Sequence, residues 1–213
     1  MINNSTYRLY GRTKGRKKKN NDQSFLKIKL KELDKKKLNI IDIGSGFGES
    51  TIKLAKDNKK KIIISCEKYI DGLNCLFRKS QEELLDNIYI YQGNVHQMID
   101  EYCSENSLYE VWILFPDPWP KKKHLKRRLI NKSFFMKINK YLKSGALIHI
   151  ASDSKSYVSQ ILKTIHLIKE DFEWLNQVKS EWNYNSEILP ATKYYKKALE
   201  NGLNPFFVKL RKL

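Results

Sequence analysis

Apolar positions along the chain follow two alternating rhythms. Short runs such as LNIIDIG (38–44), KIIISCE (61–67) and IYIYQGN (88–94) are nearly continuous in apolar and β-branched residues and end in Gly, Glu or Asn. Such runs are the mark of strands buried on both faces of a parallel sheet. Between them the apolar residues stand three or four apart. ESTIKLAKDN (49–58), IDGLNCLFRKSQEELL (70–85) and VHQMIDEYC (95–103) carry that helical spacing. The alternation continues with a fourth strand, LYEVWILFPDPW (108–119), and a helix, INKSFFMKINKYLKSG, closed by Gly145. A fifth strand, ALIHIASD (146–153), and a fifth helix, SKSYVSQILKTIHLI (154–168), follow, and FEWLNQ and PFFVKLRKL are two further strand candidates. Alternating strands and helices predict an α/β fold, a single doubly wound and mostly parallel sheet.

The length of 213 residues suits one domain with an appended arm. Residues 1–20 hold seven Lys or Arg and no Asp or Glu. They read as a basic N-terminal arm, with the folded domain over residues 21–213. The formal net charge is +18, concentrated in clusters, which points to a polyanionic partner. A drift toward Lys, Asn and Ile accounts for some of this charge but not for its clustering. Three cysteines without a CxxC pair predict a reducing, cytoplasmic setting. No apolar run approaches the ~18 residues that span a bilayer, and the N-terminus has no apolar signal core, so no membrane partner is expected. The four histidines lie far apart, and no metal is expected.

DIGSGFGES, from Asp42 to Ser50, joins the first strand to the first helix. In a doubly wound sheet ligands bind at the carboxyl ends of the strands, near the point where strand order reverses. Glycines there let the backbone approach a ligand, although a tight turn alone would use them too. Glu67 ends the second strand, where a carboxylate can accept hydrogen bonds from two ribose hydroxyls. A dinucleotide and S-adenosyl-L-methionine are the competing cofactors. The spacing Gly44-x-Gly46-x-Gly48 is not GxGxxG, and Glu49 at the helix start would repel a pyrophosphate. Asp42 and Glu49 both suit the cationic end of S-adenosyl-L-methionine. Asn94 stands where it could meet an adenine edge, cap the next helix, or do both.

FPDPWPKKKHLKRRL, from Phe115 to Leu129, ends the fourth strand with Asp117 between two prolines and sends six Lys or Arg after it. A strand end followed by a charged helix is the plain reading. The chemical reading sets Asp117 before the methyl donor, offers the Trp119 face to a base, and gives Lys121, Lys122, Lys123, Lys126, Arg127 and Arg128 to phosphates. The segment resembles the signature of the bacterial tRNA (guanine-N7-)-methyltransferases. DIGSGFGES, CEKYIDG, QGN, IASDSKSY and ATKYYKKALENG follow that family in order, from about Leu38 to the end.

The resemblance implies a Rossmann-like class I methyltransferase fold, S-adenosyl-L-methionine as cofactor, tRNA as partner, and N7 of guanosine 46 in the variable loop as target. It implies cofactor contacts at Asp42, Glu67 and Asn94 beside Gly44 and Gly46, with Asp117 both catalytic and next to the methyl group. It implies substrate contacts at Lys121, Asp153 and Thr192, and at the position of Tyr195. The family's C-terminal motif is commonly T-x-[FY]-E, so Tyr195 replaces a glutamate. Asp153 also fits a simple helix cap before SKSYVSQ. Two rivals stay open: methylation of an adenine amino group, and an RNA-binding protein that has lost catalysis. A monomer and a homodimer fit the sequence equally.

Overall fold

The computed structural model describes Tyr10 and residues 39–213. Apart from Tyr10, the basic arm and the stretch up to residue 38 lie outside the described residues. Among the described residues the strands are β1 (Asn39–Ile43), β2 (Ile62–Glu67), β3 (Ile88–Gln92), β4 (Leu108–Leu114), β5 (Leu142–Ser152), β6 (Phe172–Trp174) and β7 (Phe206–Lys212). The helices are α1 (Glu49–Asp57), α2 (Ile70–Glu82), α3 (Val95–Tyr102), α4 (Lys132–Asn139), α5 (Lys155–Leu167) and α6 (Lys193–Glu200). The strands form one sheet in the order β3-β2-β1-β4-β5-β7-β6. β1 to β5 pair in parallel, and β7 runs antiparallel to both β5 and β6. The expected doubly wound, mostly parallel sheet is therefore present.

Both sheet faces are buried, which is why the strands read as continuous apolar runs. Ile41, Ile43, Ile64, Val111, Ile113 and Ile148 point to the side covered by α3, α4 and α5. Ile40, Ile63, Trp112 and Leu114 point to the side covered by α1 and α2. The alternation is the period-2 geometry of a strand, supplied with apolar residues on both sides.

The helix expected to close at Gly145 stops earlier. Asn131 caps α4 by accepting from Phe134 N–H (3.0 Å), and Tyr141 N–H bonds to Ile138 O (2.9 Å) to end it. Leu142 already pairs with Leu108, and the ladder then jumps to Leu147 opposite Glu110. The intervening residues bulge, and Gly145 turns that bulge at φ 78° instead of ending a helix.

Strand order reverses between β1 and β4. Ile43 lies level with Cys66 on one side and Ile113 on the other, so the loops after β1, β2 and β4 leave the sheet together. A crevice at that place is what the topology makes available to a ligand.

Candidate active site

After β1 the chain passes through Gly44, Gly46 and Gly48 into α1. All three have positive φ, 74°, 56° and 81°. Gly44 N–H donates to Cys66 O (2.8 Å), which seats the turn on the end of β2. A Cβ on Gly44 would meet nothing within 4 Å, and Gly44 lines the cleft, so its bare backbone leaves ligand space. Glu67 steadies the turn from the far side: its Oε2 accepts from Gly46 N–H (3.1 Å). Its Oε1 accepts from the N–H groups of Lys68 (2.6 Å) and Tyr69 (3.0 Å). Asn94 caps α3, accepting from His96 N–H (2.8 Å), and lines the same cleft.

Asp42 sits beneath the glycine turn. It is 1% exposed and is not part of the cleft wall. Its Oδ2 accepts from Ser50 Oγ and Thr51 Oγ1, both at 2.6 Å. It braces the loop from beneath, because its side chain points from β1 into the first turn of α1. Burial, opposed by those two hydrogen bonds and helped by the Glu67 charge, pushes its carboxyl from 3.8 up to about 6. The folded chain thus holds this proton more tightly than the unfolded chain does. The resulting stability is complete below about pH 4 and is lost as pH rises to about 6. Asp42→Asn keeps an acceptor for Ser50 and Thr51 without the charge. Urea unfolding should show the variant gaining on the wild type between pH 4 and pH 7; a constant difference would contradict this.

β4 ends at Leu114, and Phe115, Pro116, Asp117 and Trp119 after it form the cleft's other wall. Phe115 and Trp119 adopt φ of 53° and 41°. Such values cost a non-glycine residue about 1–3 kcal/mol each, so the surroundings must hold the loop. Between them Asp117 is 59% exposed, with Lys68 Nζ 3.1 Å from its Oδ2. Lys68 Nζ also donates to Tyr10 O. The Tyr10 ring meets the edge of Trp119 at 6.2 Å, and the Arg127 guanidinium lies 4.8 Å from the Tyr10 ring and 5.0 Å from the Trp119 ring. Trp119 is therefore a half-buried plate with these two neighbours against it.

The charged helix expected after this loop is a six-residue 3-10 segment, Lys122–Arg127. Lys121 starts it, accepting from His124 N–H (2.8 Å), and is exposed outside the cleft wall. Arg128 departs from the phosphate role expected of it. It is 3% exposed, at the cavity lining, with its guanidinium bonded to protein groups. Asp153 follows β5, half-buried, and does not line the cleft. It is not the cap of α5, since Ser154 occupies that position.

The C-terminal segment folds back on the glycine turn. Thr192 is buried and caps α6, its Oγ1 accepting from Tyr195 N–H (3.2 Å). Glu49 Oε2 accepts from Lys193 N–H (2.8 Å), joining two points 144 residues apart. Tyr194 lines the cleft, with its Cε2 3.7 Å from where a Cβ on Gly46 would stand. Burial and the nearby carboxylates Glu67, Asp117 and Glu49 hold its phenol above the ordinary range, so it stays a neutral donor. Tyr195 is not in the cleft wall. Its ring stacks on Tyr184 at 4.2 Å and 23° and meets the edge of Phe207 at 6.2 Å. Those aromatic partners take up the ring where the family motif would present a carboxylate.

These walls enclose a cavity of about 600 Å³. Gly44, Gly46, Glu67, Asn94 and Asp117 lie along it; Asp42, Lys121, Asp153, Thr192 and Tyr195 do not. Lys68, His96, Tyr194 and Tyr10 also line it and were not anticipated. Tyr194 had a signal, as the aromatic of the T-x-[FY] motif. Lys68 and Tyr10 had none, because their partners are remote in sequence. Among the described residues no helix is long and apolar enough to cross a membrane, and no three His, Cys, Asp or Glu gather into a metal site.

A family model described as "Putative methyltransferase" matches residues 36–208. A tRNA (guanine-N(7)-)-methyltransferase of Ruegeria pomeroyi is 32% identical over 173 residues, 81% of this chain and 72% of that protein. One from a Jannaschia species is 30% identical over 172 residues, 81% of this chain and 71% of that protein. Of solved structures, an rRNA methylase from Streptococcus thermophilus superposes with a TM-score of 0.54 at 17% identity, covering 86% of this chain and 92% of that one. This last likeness concerns the fold.

Proposed function

We propose, from the premise that the chain belongs to the tRNA (guanine-N7-)-methyltransferase family, that it transfers the methyl group of S-adenosyl-L-methionine to N7 of guanosine 46 in the tRNA variable loop. The observation that carries this reading is one cavity that has the glycine turn and Glu67 on one wall and Asp117 on the other. The cavity suits the cofactor. The open space over Gly44 admits it closely, Glu67 offers a carboxylate to ribose hydroxyls, and Asn94 stands at the end of β3 beside it. When bound, the cofactor supplies an electrophilic methyl group on a sulfonium.

Guanine N7 carries a lone pair and no proton, so no residue needs to act as a base. The chain's task is placement and charge. Holding N7 in line can supply several kcal/mol, on the order of ~7 or more for well-oriented partners. Methylation leaves positive charge on the ring. Asp117, exposed to the cavity, would stabilise that charge and accept from guanine N1–H and the 2-amino group. Asp153, at the end of the adjacent strand, would lie on the tRNA side of the same rim, with Lys121, Lys122 and Lys123 on phosphates. Position 46 lies in the tRNA core, and extruding it costs a few kcal/mol that phosphate contacts and stacking would offset.

The test is transfer from labelled S-adenosyl-L-methionine to unmodified tRNA, with nucleoside analysis. Label should appear in 7-methylguanosine and vanish when guanosine 46 is replaced. Label in methyladenosine would favour the adenine rival. Binding without any label would overturn the enzymatic reading and direct attention to Tyr195.

A further inference from the structure

We propose that Arg128 is the positioning residue of the Asp117 loop and not a phosphate contact. Five of the six Lys and Arg between residues 121 and 128 are exposed or half-buried, while Arg128 is 3% exposed. Its Nε donates to Pro118 O at 2.7 Å. Its Nη1 donates to Ser156 O at 3.1 Å and to Gln160 Oε1 at 2.9 Å. Its Nη2 donates to Ser156 Oγ at 2.9 Å, and the guanidinium lies 4.7 Å from the Tyr157 ring. The residue thus ties the peptide that follows Asp117 to the first turns of α5.

The loop needs such a tie. Pro116 and Pro118 flank Asp117 and have no N–H to donate. The loop's start is held by Phe115 N–H on Ala151 O at 2.8 Å. Its end offers the Pro118 carbonyl, which Arg128 takes. Asp117 is then bracketed between two fixed points despite the positive φ at Phe115 and Trp119. The bracket is itself supported. Tyr157 OH accepts from Ile130 N–H at 2.9 Å, and Gln160 Nε2 donates to Ile130 O at 3.1 Å. Among the described residues, Arg128's hydrogen-bond acceptors are all neutral groups. A buried charge without a counter-ion is unfavourable, and its retention here matches a need for the planar fork rather than for the charge. A lysine ammonium cannot reach Pro118 and the Ser156–Gln160 pair together.

This inference rests on the proposed role of Asp117, so its test uses readouts besides methyl transfer. Arg128→Lys, Arg128→Ala, Gln160→Ala and Lys122→Ala are compared with the wild type. The measurements are kcat at saturating tRNA, cofactor affinity by calorimetry, melting temperature, and tRNA affinity against salt. Arg128→Lys should lower kcat ten- to a hundredfold with cofactor affinity and salt slope unchanged. Gln160→Ala should lower kcat severalfold with the same signature. Lys122→Ala, which removes one proposed phosphate contact, should reduce the salt slope by about 0.7–0.9. A merely structural role would lower the melting temperature and spare the kcat of the folded fraction. Wild-type kcat in Arg128→Lys, or in Gln160→Ala should the first variant fail to fold, would overturn the proposal. So would a reduced salt slope in Arg128→Ala, whose lost charge would then have been on a phosphate. If the wild type itself transfers no methyl group, the functional reading fails separately, and the salt slopes still decide whether Arg128 touches phosphate.

Discussion

Asp117→Asn is expected to slow single-turnover methyl transfer about a hundredfold, or ~2.7 kcal/mol at the transition state. Cofactor affinity should stay within about twofold of wild type, an order-of-magnitude allowance for an interaction made mainly with the reacting base. The side chain is 59% exposed, and among the described residues it pairs with Lys68 at 3.1 Å. Its replacement therefore removes no core contact and leaves no buried group unpaired, so the folded state is not at issue. What the asparagine lacks is the charge that faces the developing cation, and one of the two oxygens that can accept from guanine. Rapid-quench measurement with prebound tRNA isolates that step from binding. A wild-type rate would mean that placement alone suffices and that the carboxylate's charge has no part in the reaction.

Gly72→Ala is the second variant with a large expected effect. Within helix α2 the substitution should favour the helix by about 1 kcal/mol on intrinsic propensity. The tertiary structure reverses that expectation. A Cβ at Gly72 would stand 2.2 Å from Gly46 O and 2.9 Å from Gly46 C, both backbone atoms of the glycine turn. Neither can swing aside as a side-chain end could, so α2 or the turn must move. Overpacking of this kind costs about 1–3 kcal/mol. The same displacement would pull Gly46 N–H from Glu67, and cofactor affinity should fall at least about tenfold, or ~1.4 kcal/mol. Calorimetric titration with S-adenosylhomocysteine, alongside urea unfolding, checks both. Wild-type values in both would mean that the turn yields freely and that its close packing on α2 is incidental.

Arg127 and Arg128 show where a sequence stops being informative. Both looked like phosphate contacts, since composition and spacing report charge and not direction. Arg127 ends the 3-10 segment beside the rings of Tyr10 and Trp119, whereas Arg128 is the first extended residue after it and turns inward. Asp42 was legible as a strand-end carboxylate but not as one facing Ser50 and Thr51. Tyr195 was legible as a departure from a motif, but its packing against Tyr184 and Phe207 was not. Glu49 read as a charge at a helix start, while the structure gives it Lys193 N–H, 144 residues away, as its partner.

By itself the sequence determined the kinds and order of elements, because strand and helix periods are local and the apolar runs here are long and unbroken. It also marked the end of the sheet where the cavity lies, since a glycine turn, an acid at the end of β2 and FPDPW after β4 each mark the end of a parallel strand. Only the tertiary structure decided which charged groups face the cavity and which hold it together. Those choices depend on partners from remote segments, Ser156 and Gln160 for Arg128, and Lys193 for Glu49. The free energy of a polar side chain is set by whether such partners meet it once water has left, and no local pattern carries that information.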